Sequence, residues 1–417
     1  ITSANNVSFT GDVEAASLEV SGTSAINTAN ITTTGIQTYR GDVTLGANAS
    51  LTTTNSDIKF DSKLDGSHTL SLTTGSGDIT FGNTVGETNP LGAINITSAN
   101  NVSFTGDVEA ASLAVSGTSA INADITTSGN QTYTGAVTLD GTDDTITLTG
   151  STVTFTNTVE NASSQTLAIT GNAVFGNTVG AGTALTSLSV SGTSAINADI
   201  TTTGEQTYGG AVTLGADVEL TAKDGATNST VTFTNTVENA SSQTLGITGN
   251  AVFGGTVGDG TALTSLAVSG TSAINTTTIT TSGTQTYTGA VTLGENASLT
   301  TTNSDIIFGS NLDGSHTLSL TTGTGSITFG STVGSAAQPL SRLVLRESSQ
   351  VSFNGDVSAS EGVITVAGAQ AVNWERSSGD TINFPDTDIY FDHDGKTISL
   401  NSNLTARNIY FYRGDLD

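Results

Sequence analysis

All fifteen aromatic residues before Trp374 occupy the same position of one short motif: an aromatic residue, any residue, a small residue, any residue, then Val or Leu. Phe9-Thr10-Gly11-Asp12-Val13 is the first copy, and successive aromatic residues are mostly 20 to 25 residues apart. The fifteen are Phe9, Tyr39, Phe60, Phe81, Phe104, Tyr133, Phe155, Phe175, Tyr208, Phe233, Phe253, Tyr287, Phe308, Phe329 and Phe353. The chain is therefore a series of equivalent short units, each with one ring at a fixed place.

Longer repeats contain these short units. The segment ITSANNVSFTGDVEAASL begins at Ile1 and again at Ile96. SGTSAIN begins at Ser21, Ser116, Ser191 and Ser269, with a diverged copy at Ala367, at spacings of 95, 75, 78 and 98 residues. Residues 44–85 return almost unchanged at 292–333, an offset of 248 that equals the first three spacings together. Whole groups of units have been duplicated.

The local pattern within each unit is that of a β-strand. Apolar and polar residues alternate, as in Val212-Thr213-Leu214, and Gly, Asn, Asp and Ser separate such segments. One coil of this length cannot bury its apolar side alone and must stack on the next. The sequence predicts an all-β parallel β-helix (β-solenoid) of about 19–22 residues per coil, with the fifteen aromatic side chains in a stacked internal column. Separate β-sandwich domains, antiparallel hairpin arrays and a β-propeller are the alternatives.

Four gaps between aromatic residues are longer, 29 to 34 residues, and each contains one copy of SGTSAIN. Each long gap fits either two short coils or one coil with an additional strand or loop. We favour two short coils, because spacings of 95 and 98 then correspond to five coils and those of 75 and 78 to four. Residues 9 to 353 would hold 18 coils of about 19 residues. About 17 to 22 coils at about 4.8 Å each predict a rod of about 80–105 Å.

A change in composition divides the chain near residue 340. Lys223 is the only Lys or Arg between Lys63 and Arg342. From Arg342 onward Arg and Lys are more frequent, and the one Trp of the chain, Trp374, lies in this part. We predict regular solenoid repeats over 1–339, in units near 1–95, 96–170, 171–248 and 249–346, and a less regular, uncapped continuation over 340–417. Because Ile1 lies inside a repeat and Tyr412 begins another coil, we expect the solenoid to continue or to self-associate end to end through open strand edges.

Charge and composition exclude several classes of protein. Ten Lys and Arg residues against 37 Asp and Glu give a net charge of −27, which repels a nucleic-acid backbone. No run of about 18 apolar residues is present to span a membrane. The chain contains no Cys, so it has neither disulfides nor thiolate metal sites.

The sequence offers little for catalysis, and we expect no enzyme activity. Polysaccharide-cleaving enzymes on β-helices need acid/base pairs, and usually basic residues to hold an anionic substrate, and such basic residues are scarce here. Of the three histidines, His68 and His316 occupy the same repeat position, LDGSHTLSL, and His393 lies near the end. The duplicated position indicates a structural or solvent-facing role.

Two surface motifs have competing interpretations. Asp386, Asp388, Asp392 and Asp394 cluster before Gly395, and Asp143 precedes Asp144 in a turn, so a weak calcium site is one hypothesis and a solvated acidic surface the other. No other cofactor is predicted. Arg-Gly-Asp occurs at 40–42 and 413–415, but its Gly is the small position of the repeat and Asp often follows it. We interpret both copies as a coincidence of the repeat.

The words QTYTGAVTLG, VTFTNTV and SGTSAIN, in a Cys-free chain rich in Thr, Ser, Gly and Asn, resemble the repeat regions of large bacterial surface proteins. The closest resemblance is to filamentous-haemagglutinin-like adhesins of two-partner secretion and to autotransporter passenger regions. That resemblance implies a secreted or cell-surface rod without enzymatic activity. The first hypothesis is a structural stalk or matrix filament. The second is a binding module for a glycan or host receptor, for which Trp374, Tyr390 or Tyr410 would have to be exposed.

Overall fold

The structure, a computed structural model, consists of β-strands that stack in parallel. It describes residues 6–141, 144–335, 337–360, 363–367, 371–373, 382–392 and 404–412, with side chains for 6–141, 144–335, 337–360 and 408–410. These described residues contain no helix. The chain forms two compact units, Ile1–Gly204 and Glu205–Asp417.

The first unit contains twenty-five strands. They are Asn6–Phe9 (β1), Val13–Ala15 (β2), Leu18–Val20 (β3), Thr23–Ile26 (β4), Asn30–Thr33 (β5), Gln37–Tyr39 (β6), Val43–Leu45 (β7), Ala49–Thr53 (β8), Ile58–Phe60 (β9), Leu64–Asp65 (β10), Leu70–Thr73 (β11), Ile79–Phe81 (β12), Leu91–Ser98 (β13), Asn101–Phe104 (β14), Val108–Val115 (β15), Thr118–Ile121 (β16), Ile125–Thr127 (β17), Gln131–Tyr133 (β18), Val137–Leu139 (β19), Thr145–Phe155 (β20), Val159–Asn161 (β21), Thr166–Phe175 (β22), Leu188–Val190 (β23), Ser194–Ile196 (β24) and Ile200–Thr202 (β25).

The described strands of the second unit number twenty-four. They are Gln206–Tyr208 (β26), Val212–Leu214 (β27), Val218–Asp224 (β28), Thr227–Asn228 (β29), Thr230–Phe233 (β30), Val237–Asn239 (β31), Thr244–Thr248 (β32), Asn250–Phe253 (β33), Ser265–Val268 (β34), Ser272–Ile274 (β35), Thr278–Thr281 (β36), Gln285–Tyr287 (β37), Val291–Leu293 (β38), Ala297–Thr301 (β39), Ile306–Phe308 (β40), Leu312–Asp313 (β41), Thr317–Thr321 (β42), Ser326–Phe329 (β43), Arg342–Arg346 (β44), Gln350–Phe353 (β45), Val363–Ala367 (β46), Ala371–Asn373 (β47), Ile382–Asp392 (β48) and Leu404–Tyr412 (β49).

Each turn of the solenoid consists of three strands, one on each of three faces. In the first unit β1 pairs with β4, β2 with β5 and β3 with β6, all in parallel. Three long strands, β15, β20 and β22, each turn a corner and so belong to two faces. Face A contains their first parts together with β1, β4, β7, β10, β17 and β23, and face B contains their last parts together with β2, β5, β8, β11, β13, β18 and β24. Face C contains β3, β6, β9, β12, β14, β16, β19, β21 and β25. The predicted parallel β-solenoid is confirmed.

The second unit has the same three-strand turn. Face D contains β26, β30, β33, β35, β38 and β41; face E contains β27, β31, β36, β39, β42, β44, β46, β48 and β49; face F contains β28, β32, β34, β37, β40, β43, β45 and β47. Strand β29 forms a short antiparallel hairpin with β28. Stacking on face E continues from β42 through β44 to β46, across the boundary predicted near residue 340, which stays a prediction.

Turn length varies more than the sequence suggested. Ile58 pairs with Ile79, 21 residues later, but Val108 pairs with Ile125 after 17 and Val218 with Leu245 after 27. The three-strand frame absorbs these differences at its corners, in loops and in the hairpin of β28 and β29, which lie outside the parallel paired segments. Register is kept because a slip by one residue would turn every apolar side chain outward.

The aromatic side chains fill the interior in four separate stacks, not in one column. The stacks are Tyr39–Phe60–Phe81–Phe104, Tyr133–Phe155–Phe175, Tyr208–Phe233–Phe253 and Tyr287–Phe308–Phe329–Phe353. Ring centroids within the stacks are 4.8 to 5.9 Å apart, with interplanar angles of 4 to 15°. Phe9 pairs with Ile26 instead of with another ring. The prediction of a single column is therefore wrong, although all fifteen rings are buried.

The stacks lie on different faces, which explains the long gaps. On face C the first stack ends at Phe104, which pairs with Ile121, while Tyr133 begins the next stack on face B. From Phe104 to Tyr133 the chain makes one turn and then two more strands. Neither interpretation of the long gaps, two short coils or one coil with an additional strand or loop, is correct, because each gap holds one turn and two further strands. The interval from Tyr39 to Tyr133 is four and two-thirds turns, not five.

The second unit repeats this change of face. Phe253 on face D pairs with Ile274, and Tyr287 starts the next stack on face F above Val268. From Tyr208 to Tyr287 the chain completes three and two-thirds turns, not four. The predicted average of about 19 residues per coil is too short for the same reason, since it counted each long gap as two whole coils.

The stacked rings should contribute strongly to stability, with a difference between stacked and unstacked positions. We expect Phe81→Ala, which removes a ring held between Phe60 and Phe104, to destabilise the fold by about 3–5 kcal/mol. The matched change Phe9→Ala should cost clearly less, because Phe9 is 8% exposed and stacks on no ring. Guanidinium chloride unfolding of both variants tests this, and equal shifts in midpoint would contradict the importance of stacking.

Candidate functional site

Each aromatic stack begins with a buried tyrosine that is bound to a buried glutamine two residues earlier. The Tyr133 hydroxyl donates to Gln131 Oε1 at 2.9 Å, and Gln131 Nε2 donates to the carbonyl oxygens of Ile125 at 2.9 Å and Thr149 at 2.8 Å. The other pairs are Tyr39 with Gln37, Tyr208 with Gln206 and Tyr287 with Gln285. All eight side chains are inaccessible to solvent. The Gln-Thr-Tyr triplet occurs four times in the sequence, but its spacing does not show that the two side chains bond to each other inside the core.

These tyrosines cannot act as surface acids or bases. Burial raises the pKa of Tyr39, Tyr133, Tyr208 and Tyr287 far above the usual value. Each hydroxyl stays protonated and donates to its glutamine. The clusters satisfy buried polar groups at the first turn of a stack and are structural.

Carboxylates on the outer surface hold four loops by accepting backbone N–H groups. Glu160 accepts from Gly182 and Thr183 at 3.0 and 2.8 Å. Equivalent contacts join Glu238 to Gly260 and Thr261, Asp65 to Thr88 and Asn89, and Asp313 to Ser335. The loops begin at Gly86, Gly180, Gly258 and Gly334, whose φ angles of 62 to 75° favour glycine. Each of these carboxylates therefore joins one turn of the solenoid to a loop of the next turn.

Basic side chains in the first unit lie beside acidic ones. Arg40 contacts Glu19 at 2.8 Å and Asp61 at 3.5 Å, and Lys59 contacts Asp57 at 3.1 Å. Arg40 belongs to the first Arg-Gly-Asp segment, which forms the turn between β6 and β7, and its Gly41 packs against the backbone of Gly22. The segment therefore lies against the neighbouring turns. The second copy, 413–415, lies outside the described residues.

The structure describes the side chains of two of the three histidines but not those of the predicted calcium site. His68 and His316 lie half-exposed in equivalent turns, and their backbone N–H groups donate to Gly66 and Gly314 at 2.8 Å. In the described part of the chain, no three His, Asp or Glu residues are grouped to hold a metal ion. Asp386, Asp388 and Asp392 lie on β48, but their side chains, like Asp143, Asp394 and His393 as a whole, lie outside the described residues. The calcium site stays a prediction.

Two surface features could meet a ligand. A groove of about 490 Å³ lies beside the first loop, lined in part by Ser67, Pro90, Ala111 and Thr127, and Glu109 is its titratable lining residue. Tyr410, on β49, is 39% exposed, the position that the binding hypothesis requires. Trp374 lies outside the described residues, and the backbone of Tyr390 pairs with that of Tyr410.

Comparison with known proteins does not test the resemblance to bacterial surface proteins, which therefore remains a proposal. No protein-family profile, no curated protein and no solved structure matches the chain. Within the described residues, no helix has the length and apolar character needed to cross a membrane.

Alkaline pH should destabilise the fold through the four buried tyrosines. A free tyrosine ionises near pH 10, whereas burial keeps these four protonated in the folded chain because it raises their pKa. The unfolded state therefore loses protons first, and stability is full below about pH 10 and falls above it, by about 1.4 kcal/mol per pH unit for each tyrosine. Urea unfolding between pH 9 and 11 measures the slope. A variant with all four tyrosines changed to Phe should lose it, and phenolate absorbance from the folded chain near pH 10 that amounts to more than three of the seven tyrosines would contradict this prediction.

The carboxylates that hold the loops should contribute more to the local stability of those loops than other surface carboxylates do. We expect Glu238→Ala to increase hydrogen exchange of Gly260 and Thr261 about tenfold, because their N–H groups lose the acceptor. Asp259→Ala, in the same exposed loop, is the control with an equal change of charge. Hydrogen-exchange mass spectrometry distinguishes them, and identical exchange in both variants would count against the proposed role of Glu238.

Proposed function

We propose that this chain is a non-enzymatic extracellular structural protein, a rigid β-solenoid segment of a bacterial surface stalk or of a self-associating matrix filament. The observation that carries the proposal is how the polar groups are used. Gln131 and Tyr133 satisfy each other inside the core, and Glu160 and Glu238 fasten loops on the next turn. These side chains stabilise the stacking of one turn on the next, which a rigid rod requires.

Surface charge supports an extended, well-separated protein. A net charge of −27 keeps copies apart at low salt and is screened at higher salt. Ion pairs such as Lys63 with Glu87 are exposed and contribute little stability. Salt and divalent ions would therefore control bundling of such rods more than folding.

A binding module is the second candidate, and the 39% exposure of Tyr410 favours it. Exposed aromatic rings offer an apolar face with a polar group at one end, which suits carbohydrate recognition. In this case the solenoid would position a ligand site on face E.

Cryo-electron microscopy of native surface material, with and without a calcium chelator, tests the structural proposal. We expect fibres with a layer line near about 4.8 Å and turns that continue from copy to copy. Material from cells that lack the gene is the control. Absence of such order, combined with saturable binding of the purified chain to a glycan surface that Tyr410→Ala abolishes, would overturn the structural proposal in favour of the binding module.

A further inference from the structure

The groove beside the first loop is lined by small residues at three positions, Gly92, Ala110 and Ala111. Leu91 pairs with Ala110, and Ala110 pairs with Thr127, so that three successive turns form the floor of the groove. These three floor residues are buried. The volume of about 490 Å³ lies within the range of about 300–1,000 Å³ that is usual for small-molecule sites.

The equivalent place beside the second loop, which begins at Gly180, carries larger side chains. Leu185 pairs there with Thr202, and Thr186, Thr202 and Thr203 stand at the three positions that are small beside the first loop. The hydroxyl groups of Thr186 and Thr202 donate to backbone carbonyl oxygens, each at 2.7 Å. The groove is therefore a local departure from the repeat and not a property of every turn.

Glu109 supplies the groove with an exposed carboxylate. Among the described residues this side chain takes part in no ion pair and no hydrogen bond. The residues that pairing places at the same position beside the second and third loops are Thr201 and Thr280, which are uncharged. An unpaired carboxylate on a chain with a net charge of −27 favours a ligand that carries a positive charge.

Hydroxyl groups and an apolar ring complete the lining. Ser67, Thr126 and Ser128 are exposed, and hydroxyl groups both donate and accept hydrogen bonds. The Ser128 hydroxyl donates to the carbonyl oxygen of Ala111 at 3.4 Å, which leaves its oxygen free to accept. The Pro90 ring adds carbon surface. A sugar ring matches this combination, because it has hydroxyl groups at its edge and C–H groups on its faces, and a protonated amine on the sugar would match the carboxylate.

Other cations match the groove less well. A divalent metal ion such as calcium takes six to eight oxygen ligands, and one carboxylate with a few hydroxyl groups is a poor set for it. A lysine side chain from another protein would bring an ammonium group to Glu109. It has no hydroxyl groups for Ser67, Thr126 or Ser128, and it is too slender to fill the groove.

We propose that this groove binds a cationic amino sugar, as a unit of a glucosamine oligosaccharide. The ammonium group would pair with Glu109, the sugar hydroxyl groups would bond to Thr126 and Ser128, and one face of the ring would lie on Pro90. The site is separate from Tyr410, which belongs to the second unit. The inference goes beyond the structural role proposed above and does not depend on it.

Isothermal titration calorimetry of the full chain with the β-1,4-linked trimer of glucosamine tests this proposal. We expect saturable binding, and binding about tenfold weaker for the N-acetylated trimer, which has the same rings without the charge. Glu109→Thr introduces the residue type found beside the second loop and should weaken binding of the glucosamine trimer about tenfold. Glu14→Thr is the control, because Glu14 lies in the same local sequence, VEAASL, outside the groove.

A further variant separates the shape of the groove from the charge of the chain. Ala110→Thr with Ala111→Thr fills the groove with the residue type of the second loop, leaves the charge unchanged and should abolish saturable binding with an unchanged circular dichroism spectrum. If this variant fails to fold, the comparison of Glu109→Thr with Glu14→Thr decides alone.

Three results would overturn the proposal. Binding that survives the filled groove, or that Glu109→Thr and Glu14→Thr weaken equally, would identify general attraction of a cation to an acidic surface. Equal binding of the glucosamine and N-acetylated trimers would show that the carboxylate does not select the ligand. Tighter binding of a Gly-Lys-Gly peptide than of the glucosamine trimer would assign the groove to a protein ligand instead.

Discussion

Parallel hydrogen bonding between successive turns is the constraint on which the rest of the structure depends. It places each residue directly above its counterpart, so that like side chains meet like, as Phe60 meets Phe81 and Thr52 meets Thr73. A single sequence motif is thus converted into a stack inside the solenoid and into a column outside it. Core, loop attachment and surface array are all consequences of this one register.

The narrow interior limits what the register can hold. Among the described turns, each contains at most one of the fifteen aromatic rings, and a stack gives way to Ile121 or Ile274 on its own face where the next tyrosine enters. That tyrosine brings a hydroxyl group into the core, and the glutamine two residues earlier satisfies it. An interior with two rings at one level would be overpacked, and one with an unpaired hydroxyl would lose stability.

Fold class and buried rings could be predicted from the sequence, because strand period and aromatic spacing both survive duplication. The change of face could not. Phe104 and Tyr133 are 29 residues apart, and with turns of 17 to 27 residues this interval fits more than one number of strands. Only the pairing of Phe104 with Ile121 decides it. The roles of Glu160 and Asp65 were equally hidden, since their N–H partners lie 22 to 24 residues further along the chain.

The missing third of a turn in each longer repeat has a consequence for how the molecule meets its surroundings. In the first unit, the loop after Val85 projects from face A and the loop after Val179 from face C; in the second, the loops after Val257 and Val333 project from faces E and D. Insertion of one more repeat leaves the core intact but rotates everything beyond it by one face. Gene duplication in such a protein therefore changes the direction of display as well as the length, and three successive repeats present the same loop to every side.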